Sequence, residues 1–451
     1  MSLDKFKDTE VGKIPVNWDL VSIGDQLDLI TDYHSNGSYK TLREHVDLKE
    51  TQDYALMVRT TNFEQNNFTD SLRYVDKSAY EFLEKSKVYP DDIIMNKIAN
   101  AGSVYLMPDL KRPVSLAMNL FLLRMKPSVN QRYVYYYLKH NEKYLKTFAQ
   151  GSVTKTITKD NVKKFPLVVP PLDIQNKIDY VLSLFYKKIL ALENINKNLQ
   201  TLSKSLLKYH LEDFKPYLDK GIKNSEIGDI PKDWIVYEFD SISNIYNGYS
   251  YKGNELQQSN SAMVTIKNFN RDGSFRTDGF KEISYSNKVK DYHFVNEYDV
   301  LISCTDVTQD ADIIGNCIIL LDKKEYNDLI MSMDLVKIES KKKEINNFLL
   351  ASILKSYRFK MHILGYVNGT TVLHLDKKGI KKFKLALPDD LSILKDLNDI
   401  LENNYKQIAI NQKEINKLQK LRDALLPKLM SGEIDVTKIN CDLNDFETQK
   451  M

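Results

Sequence analysis

The chain repeats itself once. Glu10-Val11-Gly12-Lys13-Ile14-Pro15-Val16-Asn17-Trp18 returns 216 residues later (10 to 226) as Glu226-Ile227-Gly228-Asp229-Ile230-Pro231-Lys232-Asp233-Trp234. The only two tryptophans hold the same slot in each copy. Deeper in the halves, Gly151 to Pro170 matches Gly369 to Pro388 at an offset of 218 (151 to 369), with Lys163-Lys164-Phe165 answered by Lys381-Lys382-Phe383. Two offsets this close mean one long unit present twice. A chain so built must fold as two similar bodies, because its 451 residues also exceed what a single hydrophobic core usually holds.

Each unit has a globular and a helical part. Short β-rich runs fill the first globular part at Tyr54 to Arg59, Asp92 to Met95, Ser103 to Met107 and Leu120 to Met125. Their counterparts are Met263 to Lys267, Asp299 to Ser303, Asn316 to Leu321 and Leu335 to Glu339. Asn270-Arg271-Asp272-Gly273 reads as a turn, and helices are expected around Tyr133 to Phe148 and Asn346 to Leu364. After Pro170-Pro171 the texture changes. Asp173 is a plausible N-cap, and a run without proline or glycine reaches about Asp213. Ile178, Phe185, Leu192, Leu199 and Leu206 fall seven apart, with Val181, Ile189, Ile195 and Leu202 between them. Leu394, Leu401, Ile408 and Ile415 repeat the spacing after Pro388, and the stripe passes on to Leu418, Leu421 and Leu425. Sustained heptads favour a coiled coil, and two in one chain can pair with each other; two separate helices lying on their own domains is the alternative.

The expected architecture is α+β: two similar globular domains, 1–170 and 215–388, each followed by a long helix, 171–214 and 389–434, and a polar tail, 435–451. If the helices run antiparallel, a pseudo-twofold axis relates the halves, with the heads held apart by a rod. Such heads suit a helical polymer. Same-face major grooves of duplex DNA recur about every 34 Å, so two heads could meet two half-sites with untouched bases between.

Charge and chemistry narrow the choice. There are 64 basic and 61 acidic residues, a net charge of +3, so any nucleic-acid surface must gather its cations locally. Cys304, Cys317 and Cys441 form no ligand spacing and leave an odd thiol, which suits a reducing, cytoplasmic compartment. Asp4, Lys5, Lys7, Asp8 and Glu10 open the chain without an apolar run, so neither a signal peptide nor a membrane partner is expected. No glycine-rich phosphate loop is found. The one double proline, Pro170-Pro171, lies between Val169 and Leu172 and lacks the Asn/Asp-Pro-Pro-aromatic context of amino-methyltransferases. The seven histidines are scattered.

In order and twice over, the motifs resemble the DNA-specificity subunit of type I restriction-modification enzymes. They are the Ile-Pro-x-x-Trp pair, the runs ending Arg59-Thr60-Thr61-Asn62-Phe63 and Lys267-Asn268-Phe269-Asn270, the strands opening at Asp92 and Asp299, the Gly-Ser and Gly-Thr loops at Gly151 and Gly369, and the proline exits. The resemblance covers nearly the whole chain. It implies two target-recognition domains joined by paired helices, with no catalytic residue of their own. It also implies assembly on double-stranded DNA with two modification subunits that methylate adenine and with restriction subunits. S-adenosylmethionine, ATP and magnesium are then expected on those partners only. One departure is visible. Many relatives open the first long helix with Glu-Gln; here it opens Asp173-Ile174-Gln175, and the second opens Asp389-Asp390-Leu391 without a glutamine.

Candidate DNA contacts follow from residue type and place. Arg59, Thr60, Thr61 and Asn62 end an apolar strand, with Lys267, Asn268 and Arg271 in the matching region. Arginine can take guanine and asparagine adenine, each worth about 1–3 kcal/mol of discrimination. Asn96 and Lys97 follow the Asp92 strand, with Thr305 and Asp306 read as counterparts; their plainer role is a self-capped loop. Ser152, Thr154 and Lys155, and Thr370 and Thr371, sit in loops whose hydroxyls, amides and lysine suit phosphates, or which simply turn the chain. The tyrosines at 133, 135, 136 and 137 fit a helix core better than base stacking. Two other functions stay open at this stage: a non-catalytic scaffold bridging two proteins, and a single-chain methyltransferase or nuclease.

Overall fold

The computed structural model describes residues 6–151, 154–307 and 310–439. The chain forms two compact units. Unit 1 is residues 1–188 with 418–451, and unit 2 is residues 189–417. Each unit therefore takes one globular part and a half of each long helix.

The β-framework of unit 1 recurs in unit 2, which adds a small sheet of Thr305–Asp306, Leu373–Leu375 and Val367–Asn368 where unit 1 has the single bridges Ile98 to Thr156 and Gln150 to Thr156. One antiparallel sheet runs Leu27–Asp32, Leu120–Met125, Ile93–Asn96, Val104–Leu106 in space. Its twin runs Ser243–Asn247, Leu335–Ser340, Val300–Ser303, Cys317–Ile319. A second sheet is mixed, with Ala55–Val58 parallel to Val114–Leu116 in unit 1 and Ser261–Val264 parallel to Asp328–Met331 in unit 2. These central strands are buried on both faces, which is why they read as continuous apolar runs. The expected helices form as Gln131–His140 and Glu142–Leu145, and as Asn347–Leu354 and Tyr357–Leu364. Tyr133, Tyr136 and Tyr137 are buried in the core, and the Tyr133 hydroxyl donates to the Val168 carbonyl at 2.9 Å.

The repeated tryptophan is a clamp on a chain segment. Trp234 packs edge-on against Phe214 and beside Tyr217, just past the first long helix, with ring centroids 5.0 Å apart in both pairs. In unit 1, Trp18 and Pro15 close over Gly432, whose φ of 71° follows the second long helix. The stretch from Asp435, expected as tail, begins instead with a turn at Val436–Lys438. Val436 is buried in the unit 1 core, and Lys177 donates to the Thr437 carbonyl at 2.7 Å.

The long helices span Leu172–Leu207 and Lys395–Met430. In unit 2 their halves run antiparallel. Asn404 Nδ2 donates to Ser203 Oγ at 3.2 Å and Asn411 Nδ2 to Asn196 Oδ1 at 2.8 Å, so residue numbers rise on one helix as they fall on the other. In unit 1, Ile178 and Leu182 share a core cluster with Leu429 and Met430. The expected seam differs on one side. Ile195 and Leu202 are exposed, and Asn196 and Ser203, one residue further on, face inward. The seam position on that side is polar, and the apolar residues beside it face solvent. The absent glutamine also finds an answer. Gln175 accepts from the Asn130 N–H, the cap of a unit 1 helix; in unit 2 Asn398 accepts from the equivalent cap, Asn346. Among the described residues no helix is long and apolar enough to cross a membrane.

Candidate nucleic-acid interface

In each unit three loops leave the ends of neighbouring strands and are tied together. The first loop of unit 1 starts at Arg59, the cap of the short helix Thr60–Glu64. The second follows the strand Ile93–Asn96, and the third is the turn after Gly151. Asn96 and Asn100 both donate to Glu64 Oε1, at 3.1 and 3.5 Å. The Ala99 N–H donates to the Lys155 carbonyl at 3.0 Å, and Ile98 bridges to Thr156. Gly151 has φ 119° and Gly369 φ 117°, and a Cβ on either would strike a carbonyl of its own turn. Glycine is required there by the turn itself.

Several candidate residues prove to be committed inside the fold. Asn62 is 3% exposed; its Oδ1 accepts from the Arg59 N–H at 2.9 Å and its Nδ2 donates to the Asn67 carbonyl at 3.0 Å. Asn268, wholly buried, repeats this with the Thr265 N–H at 2.9 Å and the Arg276 carbonyl at 2.9 Å. These asparagines hold the first loop of each unit closed, and a base edge would have to displace those bonds. Arg59 turns along its own loop, with Nη2 on the Ser71 carbonyl at 2.6 Å. Asn96 is buried. Lys97 pairs with Asp32 at 2.9 Å, and Lys159 takes the other oxygen of that carboxylate at 3.1 Å. Burial raises the Asp32 pKa, but hydrogen bonds from Lys97, Ser35 and Lys159 outweigh it and hold the carboxyl at about 2.

The strand register corrects the pairing of the second loops. Leu120 faces Asn96 as Leu335 faces Ser303, so Asn96 corresponds to Ser303 and Lys97 to Cys304. Thr305 corresponds to Ile98, since Thr305 faces His374 as Ile98 faces Thr156. Thr305 is buried and donates to Asp334 at 3.0 Å. Asp306 accepts from the N–H groups of Ile313 and Ile314. Phe121 faces Asp32 as Val336 faces Asn247, so the carboxylate of unit 1 is an amide in unit 2. Lys377, the counterpart of Lys159, donates to Asn247 Oδ1 at 2.6 Å. Burial pushes the Cys304 thiol up to about 12, so it sits beside Lys377 as a neutral group. The sequence carries a signal for these two lysines, because Lys159 and Lys377 stand 218 apart, the offset of the surrounding repeat.

What remains outward is short. Thr61, Thr154 and Lys155 are exposed in unit 1, and Thr60 is half-buried. In unit 2 Lys267, Arg271, Thr370 and Thr371 are exposed, and Arg271 makes a loose pair with Asp312 at 3.5 Å. The expected turn there forms, with the Gly273 N–H on the Asn270 carbonyl at 3.0 Å. Ser152 lies outside the described residues. Among the described residues no group of histidine, cysteine, aspartate or glutamate could hold a metal ion.

The family described as type I restriction modification DNA specificity domain matches residues 15–201 and again 231–420. The chain belongs to that family. The type I restriction enzyme MjaIX specificity subunit of Methanocaldococcus jannaschii is 24% identical to it over 445 residues, covering 96% of this chain and 98% of the relative. The MjaVIII specificity subunit of the same organism is 24% identical over 449 residues, covering 97% of each. A crystal structure of a type I restriction-modification S subunit from M. genitalium shares the fold, with a TM-score of 0.57 at 16% identity over 94% of this chain and 98% of that one. A type I specificity protein recognises DNA, and both matched segments run from the sheet framework into a long helix. The double match is the duplication seen in the sequence.

Proposed function

We propose that this specificity chain is the non-catalytic reader of a type I restriction-modification complex, each unit taking one half of a split, asymmetric DNA target. One observation carries the reading. The two units keep the same strands, glycine turns and buried asparagine clamps, and differ in the side chains their three loops turn outward. A shared frame with unlike loops suits two unlike half-sites on one duplex. Thr60, Thr61, Thr154 and Lys155 would meet one half-site, and Lys267, Arg271, Thr370 and Thr371 the other. Lysines and hydroxyls there would hold phosphates, and the exposed Arg271 would take a base edge. Two modification subunits would methylate adenine and restriction subunits would cleave, with S-adenosylmethionine, ATP and magnesium bound on those partners.

The test is co-expression with the modification subunit, followed by mapping of methylated adenines by long-read sequencing. A motif in two parts separated by unspecified bases is expected. A contiguous motif, or no methylation, overturns the reading. Binding isotherms at two salt concentrations separate it from a protein scaffold, which would show no salt-sensitive DNA affinity. Binding of S-adenosylmethionine to the isolated chain would overturn the non-catalytic assignment.

A further inference from the structure

We propose that two buried polar layers between the long helices lock their register, and that these residues thereby help determine the specificity of the reader. In unit 2, Ile189, Leu192, Asn196, Leu199, Ser203 and Leu206 alternate three and four residues apart. So do Leu401, Asn404, Ile408, Asn411 and Ile415 on the second helix. The polar members are as buried as their apolar neighbours: Asn196 is 7% exposed, Ser203 3%, Asn404 8% and Asn411 3%. They meet in pairs, Asn196 with Asn411 and Ser203 with Asn404, one heptad apart on both helices. Gln407 Nε2 holds the Asn411 oxygen at 2.8 Å, which leaves the Asn411 amide group aimed across the seam.

A seam of leucines alone tolerates a slip of one heptad, since every apolar layer meets another apolar layer. This seam does not. Sliding one way brings Asn196 to Asn404, but sets Ser203 against Leu397 and Asn411 against Ile189. Sliding the other way joins Ser203 to Asn411, but sets Asn196 against Leu418 and takes Asn404 to His210. Either slip strands buried polar groups, and a polar residue inside a helix seam is the known means of fixing register at some expense of stability. The device belongs to unit 2. Within the long helices the halves are 223 residues apart, as Gln175 and Asn398 are (175 to 398), and at the positions so related to Ser203 and Asn404 unit 1 carries Leu426 and Val181, both packed on its core.

The consequence for DNA rests on the split-target reading above. A heptad is about 10 Å of helix, or roughly three base steps at ~3.4 Å each, so a slip would change the gap between half-sites. By the observed register Leu192 falls opposite Ile415, whereas a slipped pair would place Leu192 opposite Ile408 or Leu199 opposite Ile415. Cysteine pairs at these positions, in the full chain carrying Cys441→Ser, report register by oxidative cross-linking. With the natural seam only L192C/I415C should link. With N196L, S203L, N404L and N411L together, the slipped pairs should link as well, and the chain should melt higher. Cross-linking confined to L192C/I415C in that all-leucine seam overturns the proposal. The exchange S203N/N404S keeps a polar pair and should keep the single native link, so slipped links in it also overturn the proposal. Methylated motifs of the all-leucine chain in its complex give the second readout. Two gap lengths support both ideas. Slipped cross-links with one unchanged gap leave the register lock standing and sink the ruler.

Discussion

The two units answer the same structural demands with different residues, and the pattern of replacement separates frame from surface. Where a loop must be held shut, the partner bonds persist: Asn62 and Asn268 accept and donate in the same places. Where a helix cap must be tied, the residue changes and the bond stays, as with Gln175 and Asn398. Electrostatics are less conserved. Unit 1 neutralises Lys97 and Lys159 with one buried carboxylate. Unit 2 has a thiol at the first position and an amide facing the second lysine, and among the described residues no carboxylate lies within ion-pair distance of Lys377. Backbone geometry is thus kept by hydrogen bonds, while local charge is left to diverge.

The comparison breaks most visibly at the aspartates that open the central strands. Asp92 holds Arg124 through two bonds of 2.7 Å, both side chains largely buried, and caps the Tyr89 N–H. Asp299 caps the Asn296 N–H, but its cation, Lys337, lies 3.9 Å away and also reaches Glu339 at 3.0 Å. Asp92→Ala should destabilise unit 1 by about 3–5 kcal/mol, the usual result of stranding one partner of a buried pair. Asp299→Ala should do less to unit 2, because Lys337 keeps a partner. Denaturant unfolding of the full chain, with hydrogen exchange to assign each transition to its unit, measures both. Equal losses would mean that the second pairing is as tight as the first.

Asn62→Ala and Asn268→Ala should match each other. Each leaves a loop N–H and a loop carbonyl without their partner, and because these groups are only partly buried the loss should fall near the lower end of about 1–3 kcal/mol per group. Each should also erase its own half of the methylated motif and spare the other half. Loss of both halves from one substitution would show that the units do not read separately.

Acid should distinguish the units more gently. The Asp32 pKa is about 2 when folded against an ordinary 3.8, so its contribution is complete above about pH 4 and is lost as pH falls toward 2. Asp32→Asn should remove that part of the acid sensitivity of unit 1 and leave unit 2 unchanged. Melting curves at pH 5 and near pH 2.5 test it; an unaltered slope between them would mean that other carboxylates carry the effect.

The smallest expected effect lies at the surface. Lys267→Ala should leave stability unchanged and lower the slope of log affinity against log salt by about one, the signature of a single phosphate contact. Lys155→Ala should do the same for the other half-site. A changed base preference in either variant would instead mean that the lysine reads sequence.

Much of the fold is legible in the sequence. The offset of the repeat fixed two like domains, and the apolar runs at Leu120 to Met125 and Leu335 to Glu339 located the central strands, because burial on both faces leaves little freedom of residue type. The glycines at 151 and 369 announced a turn that nothing else can make. Spacing could not show which polar side chains point out. Asn62 and Thr61 are neighbours of similar promise in sequence, and only the folded loop buries one and exposes the other. The same limit applied to the long helices. Heptads named an apolar stripe through Ile195 and Leu202, but the tertiary pairing chose Asn196 and Ser203, since a buried polar group is acceptable wherever a partner across the seam completes its hydrogen bonds. Periodic hydrophobicity is a property of one chain segment, and satisfaction of polar groups is a property of two; the first is written in the sequence and the second exists only after folding.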